Sequence, residues 1–390
     1  FSPKDLNILL IEFKGNDLSN ILHTLPHIAG IVSNLNDPST IIRGLKSLKG
    51  EKDRRMRLFE QSDFLSSKSI FAYQKYQKAH PEAGLEPLPY LIIVIDEFAE
   101  LVTQYPEFND EIVSIARVGR SVGMYMTLTM QSPQGVVKGQ VSSNTKFRVC
   151  LRTATASESK EIIGTDDAYN ISAPGRAYIK VGNNEVYEQV QTFYAKAPYR
   201  PNSGQRSAVD EIKLVALNGS KKKPEIYSKT VKASRDEQSE GNVIVKNIID
   251  EAEAHHFRHA RPVWTDPLPE MLTLDEMIAQ QPGYEAFDRT AKTWHEANKG
   301  LSVIVGRVDA PEEQKQYPFV LDFMKNGHQV LYAAPSTGKT SFLQTVLTSA
   351  ALAYTPEQVN FVIFDYGSFI LKAFEGLPHT VIAADPTDEE

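Results

Sequence analysis

Residues 91–101 read LIIVIDEFAEL: five consecutive apolar residues, most of them β-branched, end abruptly in Asp96 and Glu97. An uninterrupted apolar run of this length predicts a parallel strand buried on both faces. Open α/β sheets place their ligands at the carboxyl edge of such strands. The acidic pair therefore reads as the Walker B half of a nucleoside triphosphatase site, with Asp96 holding a magnesium shell and Glu97 polarising the attacking water. The alternative is a strand that ends in a solvated acidic turn.

A chain of 390 residues holds two or three domains at about 150 residues each. Apolar content of 41% and charged content of 23% are those of a soluble globular protein. The formal charge of −7 argues against wholesale nucleic-acid binding, leaving room only for a narrow basic channel. Cys150 is the only cysteine, which excludes an intrachain disulfide and a cysteine-based zinc site and points to a reducing compartment. No apolar run reaches the roughly 18 residues of a membrane helix, and no signal-peptide pattern opens the chain. The expected location is the cytosol, with a membrane anchor in a longer parent left open.

Outward from residue 91, Asn7–Phe13 (NILLIEF) reads as a second buried strand. Asp37 as N-cap and Pro38 at the first helical position open a helix over Pro38–Glu60, with Ile41, Ile42, Leu45 and Leu48 at helical spacing. Its basic end, with Lys52, Arg54, Arg55 and Arg57, is either a solvated face that complements the helix dipole or the source of an arginine finger for a neighbouring subunit's nucleotide. A helix is expected over Ser62–Lys78, then punctuation by Pro87 and Pro89.

After Glu97 the pattern is helical to Val102 and again over Glu107–Arg120, ending in GRSVG. A strand over Met124–Met130 then delivers Gln131 to the same edge as Asp96 and Glu97. A triphosphatase commonly senses the γ-phosphate there; an ordinary surface residue is the alternative. A strand over Phe147–Leu151, a capping box at Thr155–Glu158, and strands over Ala177–Val181 and Glu185–Phe193 complete the segment. Alternating strands and helices predict an α/β fold with a mainly parallel sheet flanked by helices.

From Pro198 to Gly300 the composition turns polar and turn-rich, marking a linker between units at 1–198 and 301–390. Within it Val243–Ala254 has an amphipathic helical pattern, and Lys221–Lys223 suits a solvated loop. PVWTDPLPEM (Pro262–Met271) combines Trp264 with three prolines. It suits an extended arm docked on a neighbouring surface, or an ordinary turn. His255, His256 and His259 include an i, i+4 pair, with no third ligand motif to make a metal site.

Gln329–Ala333 reads as a strand leading into APSTGKTS and a helical FLQTVLTSAALAY, the strand, loop and helix context of a P-loop. Ala333, Ala334, Pro335, Ser336, Thr337, Gly338 and Ser341 would cradle phosphates with their backbone, Lys339 would reach the β and γ phosphates, and Thr340 would bind magnesium. Ala333 stands where the strict pattern has its first glycine, which is acceptable if its backbone angles are ordinary. The chain also repeats itself. ILLIEFKG ending at Gly15 resembles FVIFDYG ending at Gly367, and the LPH containing Pro26 recurs around Pro378, both at an offset of 352 residues. Two homologous units are implied, the first without its P-loop and the second without its acidic strand.

The series LPH, VIDEFAEL, ARVGRSVGMYMTLTMQSPQGVV, SNTKFRVCLR and PGRAYIKVGNNEVYEQVQ resembles the FtsK/SpoIIIE-type ATPase domains of the EssC and EccC proteins of type VII secretion. VGRVDAPEEQKQ, GHQVLYAAPSTGKTSFLQT and FDYGS resemble the next ATPase domain of the same array. The resemblance implies RecA-like P-loop NTPase units in tandem, the first and second of three. It also implies ATP and Mg2+, a hexameric membrane-anchored motor with a cytoplasmic portion, and export of WXG100-class substrates through other membrane components of the secretion complex. Carried onto this chain it marks Asp96, Glu97 and Gln131, with a trans-acting arginine from Arg54, Arg55 or Arg120. It also suggests that the Trp264 segment docks on the first ATPase unit and restrains it. Met130 stands where many relatives have a smaller residue, which bears on the positioning of Gln131. A DNA translocase of the same superfamily and a nucleotide-bound scaffold without turnover are the competing readings.

Overall fold

Four strands, β1 (Leu6–Glu12), β2 (Ile28–Val32), β3 (Tyr90–Asp96) and β4 (Met124–Leu128), form one all-parallel sheet in the order β2-β1-β3-β4. They belong to a computed structural model that describes residues 1–12, 22–32, 38–133, 145–199, 214–215, 221–222, 238–295, 300–367 and 369–388. The chain divides into two units, Phe1–Trp264 and Thr265–Glu390, so the division falls inside the 199–300 segment.

In the first unit, α1 (Pro38–Glu60), α2 (Ile70–Ala79), α3 (Phe98–Gln104) and α4 (Glu107–Val122) accompany the sheet. Leu9, Ile11, Ile93 and Ile95 of the strands form one core with Ile41 and Leu48 of α1 and Ile112 and Ile115 of α4. Burial along β3 alternates: Leu91, Ile93 and Ile95 are buried, while Ile92 and Val94 are half-buried, so the two faces are not equally covered as the apolar run suggests. The expected helix at Ser62–Lys78 begins only at Ile70, because Ser69 caps it by accepting from the Ala72 amide at 3.4 Å. The Asp37 cap lies outside the described residues.

A second, antiparallel sheet, β5 (Phe147–Leu151), β6 (Arg176–Val181) and β7 (Val186–Gln191), carries α5 (Ala156–Ile163) on one face. The Thr155–Glu158 capping box forms as its spacing predicts. Beyond it, β8 (Leu214–Val215) pairs with β9 (Lys221–Lys222) where a loop is expected, and α6 (Glu240–Ala254) starts at the Ser239 cap. The extended arm then docks on the outer edge of β2. The Ala260 amide donates to Pro26 O at 2.7 Å and the Val263 amide to Ala29 O at 2.9 Å. Trp264 lies so close to Gly30 that a Cβ there would sit 2.6 Å from the indole.

The second unit holds α7 (Leu274–Ala279), a short β10 (Phe287–Asp288) and β11 (Thr293–Trp294) pair, and a hairpin of β12 (Ser302–Ala310) and β13 (Lys315–Asp322). α8 (Phe323–Asn326), α9 (Lys339–Ala353), and the parallel pair β14 (Phe361–Phe364) and β15 (Thr380–Ala384) follow. Polar seams fasten α9 to the hairpin: Ser349 Oγ donates to Ile304 O at 2.7 Å, and the Ile304 amide donates to the Tyr284 hydroxyl at 2.9 Å. The strand expected at Gln329–Ala333 does not form, and Val330 and Tyr332 are 75% and 90% exposed. A buried parallel strand exists only between partners, and none pairs with this stretch among the described residues.

The internal repeat holds at the level of strand pairing. β1 pairs with β2 as Ile8↔Ile28 and then, after an irregularity, Leu9↔Gly30; β14 pairs with β15 as Phe361↔Thr380 and then, after the same irregularity, Val362↔Ile382. Thr380 follows Ile28 by 352 residues, but Phe361 matches Ile8, one residue off that offset. The ungapped alignment is therefore corrected: Glu12, not Phe13, is the counterpart of Asp365, so one acid matches the other.

Candidate nucleotide sites

Parallel pairing sets Glu12 opposite Asp96, so both strands deliver a carboxylate to one edge. The chain reverses immediately afterwards. Glu97 adopts a left-handed conformation, φ 55° and ψ 48°, which costs a non-glycine residue about 1–2 kcal/mol. The neighbouring strand end holds this turn: the Thr129 amide donates to Ile95 O at 2.9 Å, and the Phe98 amide donates to Thr129 O at 2.9 Å. These bonds also explain why β4 stops at Leu128 rather than Met130. Thr129 Oγ1 donates to Asp96 Oδ1 and accepts from the Glu97 amide at 3.4 Å. Gln131 Nε2 donates to Glu97 Oε1 at 2.5 Å, and Glu97 is only 8% exposed.

The structure thus brings together Asp96, Glu97 and Gln131, three residues read from sequence. It adds Thr129, to which the sequence reading assigns no role, and the buried Glu12. Thr129 gains its place only from the β3–β4 register, which spacing along the chain does not encode; the match of Glu12 to Asp365 is visible once the repeat is shifted by one residue.

The arginines behave differently. Arg55 is 2% exposed, and its guanidinium donates to Glu51 Oε1 at 2.7 Å, Val122 O at 2.9 Å and Gly123 O at 3.2 Å. Arg54 grips both oxygens of Glu51 at 2.8 and 2.9 Å and reaches Glu86 at 3.4 Å, and Glu86 in turn accepts from Arg261 of the docked arm at 2.6 Å. They line a cavity of about 460 Å³ with Asn7 and Leu91, at the amino ends of β1 and β3, the edge opposite Asp96. Both guanidiniums are thus engaged by Glu51 inside their own unit. Arg120 is exposed on the last turn of α4.

In the second unit, the loop Ala333–Gly338 runs exposed into α9. Ser336 and Gly338 take positive φ, 61° and 98°, whereas Ala333 does not, which meets the condition set for alanine at that position. Thr337 Oγ1 braces the loop on Ala334 O at 2.7 Å. The amides of Lys339, Thr340 and Ser341 occupy the first turn of α9, where no intrahelical acceptor exists and an anion is favoured. The Thr340 hydroxyl, like the Asp96 carboxylate of the other unit, is a hard oxygen donor suited to magnesium.

An acidic pair on a parallel sheet, followed by a second unit whose Gly-Lys-Thr loop opens a helix, defines P-loop NTPase units in tandem. The chain belongs to the FtsK/SpoIIIE family, matched over residues 1–135 and 290–390. It is 34% identical over 384 residues, 97% of its length, to the type VII secretion system protein EssC of Staphylococcus aureus (strain NCTC 8325 / PS 47). It is 32% identical over 381 residues, again 97%, to the ESX secretion system protein EccC of Geobacillus thermodenitrificans. The chain spans only 25% and 24% of these two relatives.

Among solved structures, the cytoplasmic domain of the Thermomonospora curvata type VII secretion ATPase EccC superposes with a TM-score of 0.74 at 30% identity, covering 100% of this chain and 40% of that one. ATPases 2 and 3 of the same EccC, solved with a signal sequence peptide, share the fold at a TM-score of 0.62 and 19% identity, covering 98% of this chain and 56% of that one. Among the described residues no helix is long and apolar enough to cross a membrane.

Proposed function

We propose that this chain is part of an ATP-driven motor of type VII protein secretion. Asp96, Glu97 and Gln131 form the hydrolytic half of one ATP site, and Ala333–Ser341 form the phosphate-binding half of another. The observation that carries this reading is the junction at the end of β3, where Gln131 and Thr129 hold the two carboxylates. A buried carboxylate aimed by an amide can orient and deprotonate water, and a second carboxylate, one of whose oxygens takes no hydrogen bond among the described residues, can hold a magnesium shell. Bound magnesium would neutralise charge developing on the transferred phosphoryl group.

The repeat supports pairing Asp96 and Glu97 with a P-loop upstream in the full-length protein rather than with Lys339. Units at 1–198 and 301–390, joined by a linker at 199–300, would be the first and second of three ATPase domains. Homology to EssC and EccC supports a hexamer of cytoplasmic portions on a membrane anchor, exporting WXG100-class proteins. The test is steady-state ATP hydrolysis by the full-length protein with Glu97→Gln as the variant. Loss of turnover with ATP still bound is the expected result; undiminished turnover would remove the first site from the chemistry.

A further inference from the structure

Thr129 is tied to the β3 turn through every polar atom it has. Its amide and carbonyl take part in the bonds to Ile95 and Phe98. Its one hydroxyl proton goes to Asp96 Oδ1, and the same oxygen accepts the Glu97 amide. A single hydroxyl therefore touches both acidic residues, at the side chain of one and the backbone of the other. Gln131, two residues on, supplies the amide for the Glu97 carboxylate.

We propose that Thr129 is the positioning residue of the first site, and this rests on the reading of Asp96 and Glu97 as its hydrolytic half. Donation to Asp96 Oδ1 fixes the rotation of that carboxylate and leaves Oδ2, which takes no hydrogen bond among the described residues, as the oxygen directed at magnesium-bound water. Acceptance from the Glu97 amide holds the left-handed turn that brings the Glu97 carboxylate to Gln131. A β-branched side chain suits the task, because its χ1 is stiff and little freedom remains to be lost. Valine keeps the shape but offers neither donor nor acceptor; serine keeps both.

The inference is tested in the full-length protein with Thr129→Val, Thr129→Ser and Glu97→Gln. Thr129→Val should lower kcat by about tenfold to a hundredfold, the scale of losing a group that orients a metal ligand, with KM for ATP nearly unchanged and the magnesium midpoint raised. Thr129→Ser should recover most of that loss. Without nucleotide, hydrogen exchange at the Glu97 amide should speed up in Thr129→Val and not in Thr129→Ser. Full activity of Thr129→Val, or failure of Thr129→Ser to rescue it, overturns the positioning role. If Glu97→Gln abolishes turnover while Thr129→Val does not, the proposed function stands and this inference alone falls. If Glu97→Gln remains active, both fall.

Discussion

Gln131 Nε2 donates to Glu97 Oε1 at 2.5 Å. In the proposed site, the residue that would sense a γ-phosphate is thus engaged with the residue that would activate water. A side-chain amide carries two N–H donors in one plane, so the hydrogen held by Glu97 sets the direction of the second, which can meet a phosphate oxygen. Replacing Gln131 by leucine should leave ATP binding within a few-fold of the parent and lower hydrolysis by about a hundredfold, the scale of one lost preorganised donor. Single-turnover kinetics on the full-length protein separate the two quantities. Equal loss in binding and turnover would reduce Gln131 to a structural residue.

The docked arm offers a second test. Trp264 fills the space above Gly30, and Gly30→Ala would place a methyl carbon 2.6 Å from the indole. The indole must then be displaced, losing about 2 kcal/mol or more if Trp264 is an anchor of the usual kind. Trp264 and Trp294 are the two tryptophans, so in a Trp294→Phe background the emission of Trp264 should shift red in Gly30→Ala. If the arm restrains the first unit, Trp264→Ala raises basal ATP hydrolysis in the full-length protein, and unchanged turnover removes the restraint.

What the sequence made legible follows from how local each signal is. The apolar run before Asp96, the capping box at Thr155 and the Gly-Lys-Thr loop are short-range patterns, and each forms in place. The failures needed partners. Gln329–Ala333 has a strand's composition and no neighbour among the described residues to make it one. Arg54 and Arg55 look like free basic residues until folding brings Glu51, Glu86 and the Val122 carbonyl around them. Thr129 is an ordinary strand residue until β4 lies beside β3. Even the repeat, read correctly as a repeat, needed the pairing of β1 with β2 to show its one-residue gap.

The buried network beneath the arm should govern acid stability of the first unit. Burial pushes the Glu51 carboxyl up, but hydrogen bonds and charge from Arg54 and Arg55 outweigh it and hold the group at about 2, against an ordinary value of 4.5. A pKa lowered by folding contributes stability that is fully present above the ordinary value and is lost as pH falls through the folded one. Denaturant midpoints of the first unit should therefore fall between about pH 4.5 and 2, and that part of the slope should be missing in Glu51→Gln. At neutral pH the same variant should lose about 3–5 kcal/mol, the cost of leaving a buried guanidinium without its partner.

Lys339 offers a test of the proposed second site. In the proposed function the first turn of α9 and the ammonium of Lys339 form the phosphate-binding half of one site, while Asp96 and Glu97 belong to another. Binding and turnover should therefore separate. Calorimetric titration of the 390-residue chain with ATP and magnesium should give one binding event, weakened about tenfold or more in Lys339→Ala by loss of charge-assisted hydrogen bonds to phosphate. Phosphate release over hours should stay at background in both proteins. A robust rate that Lys339→Ala abolishes would mean that this loop already has its acidic partner, and the assignment of the two motifs to separate sites would be wrong.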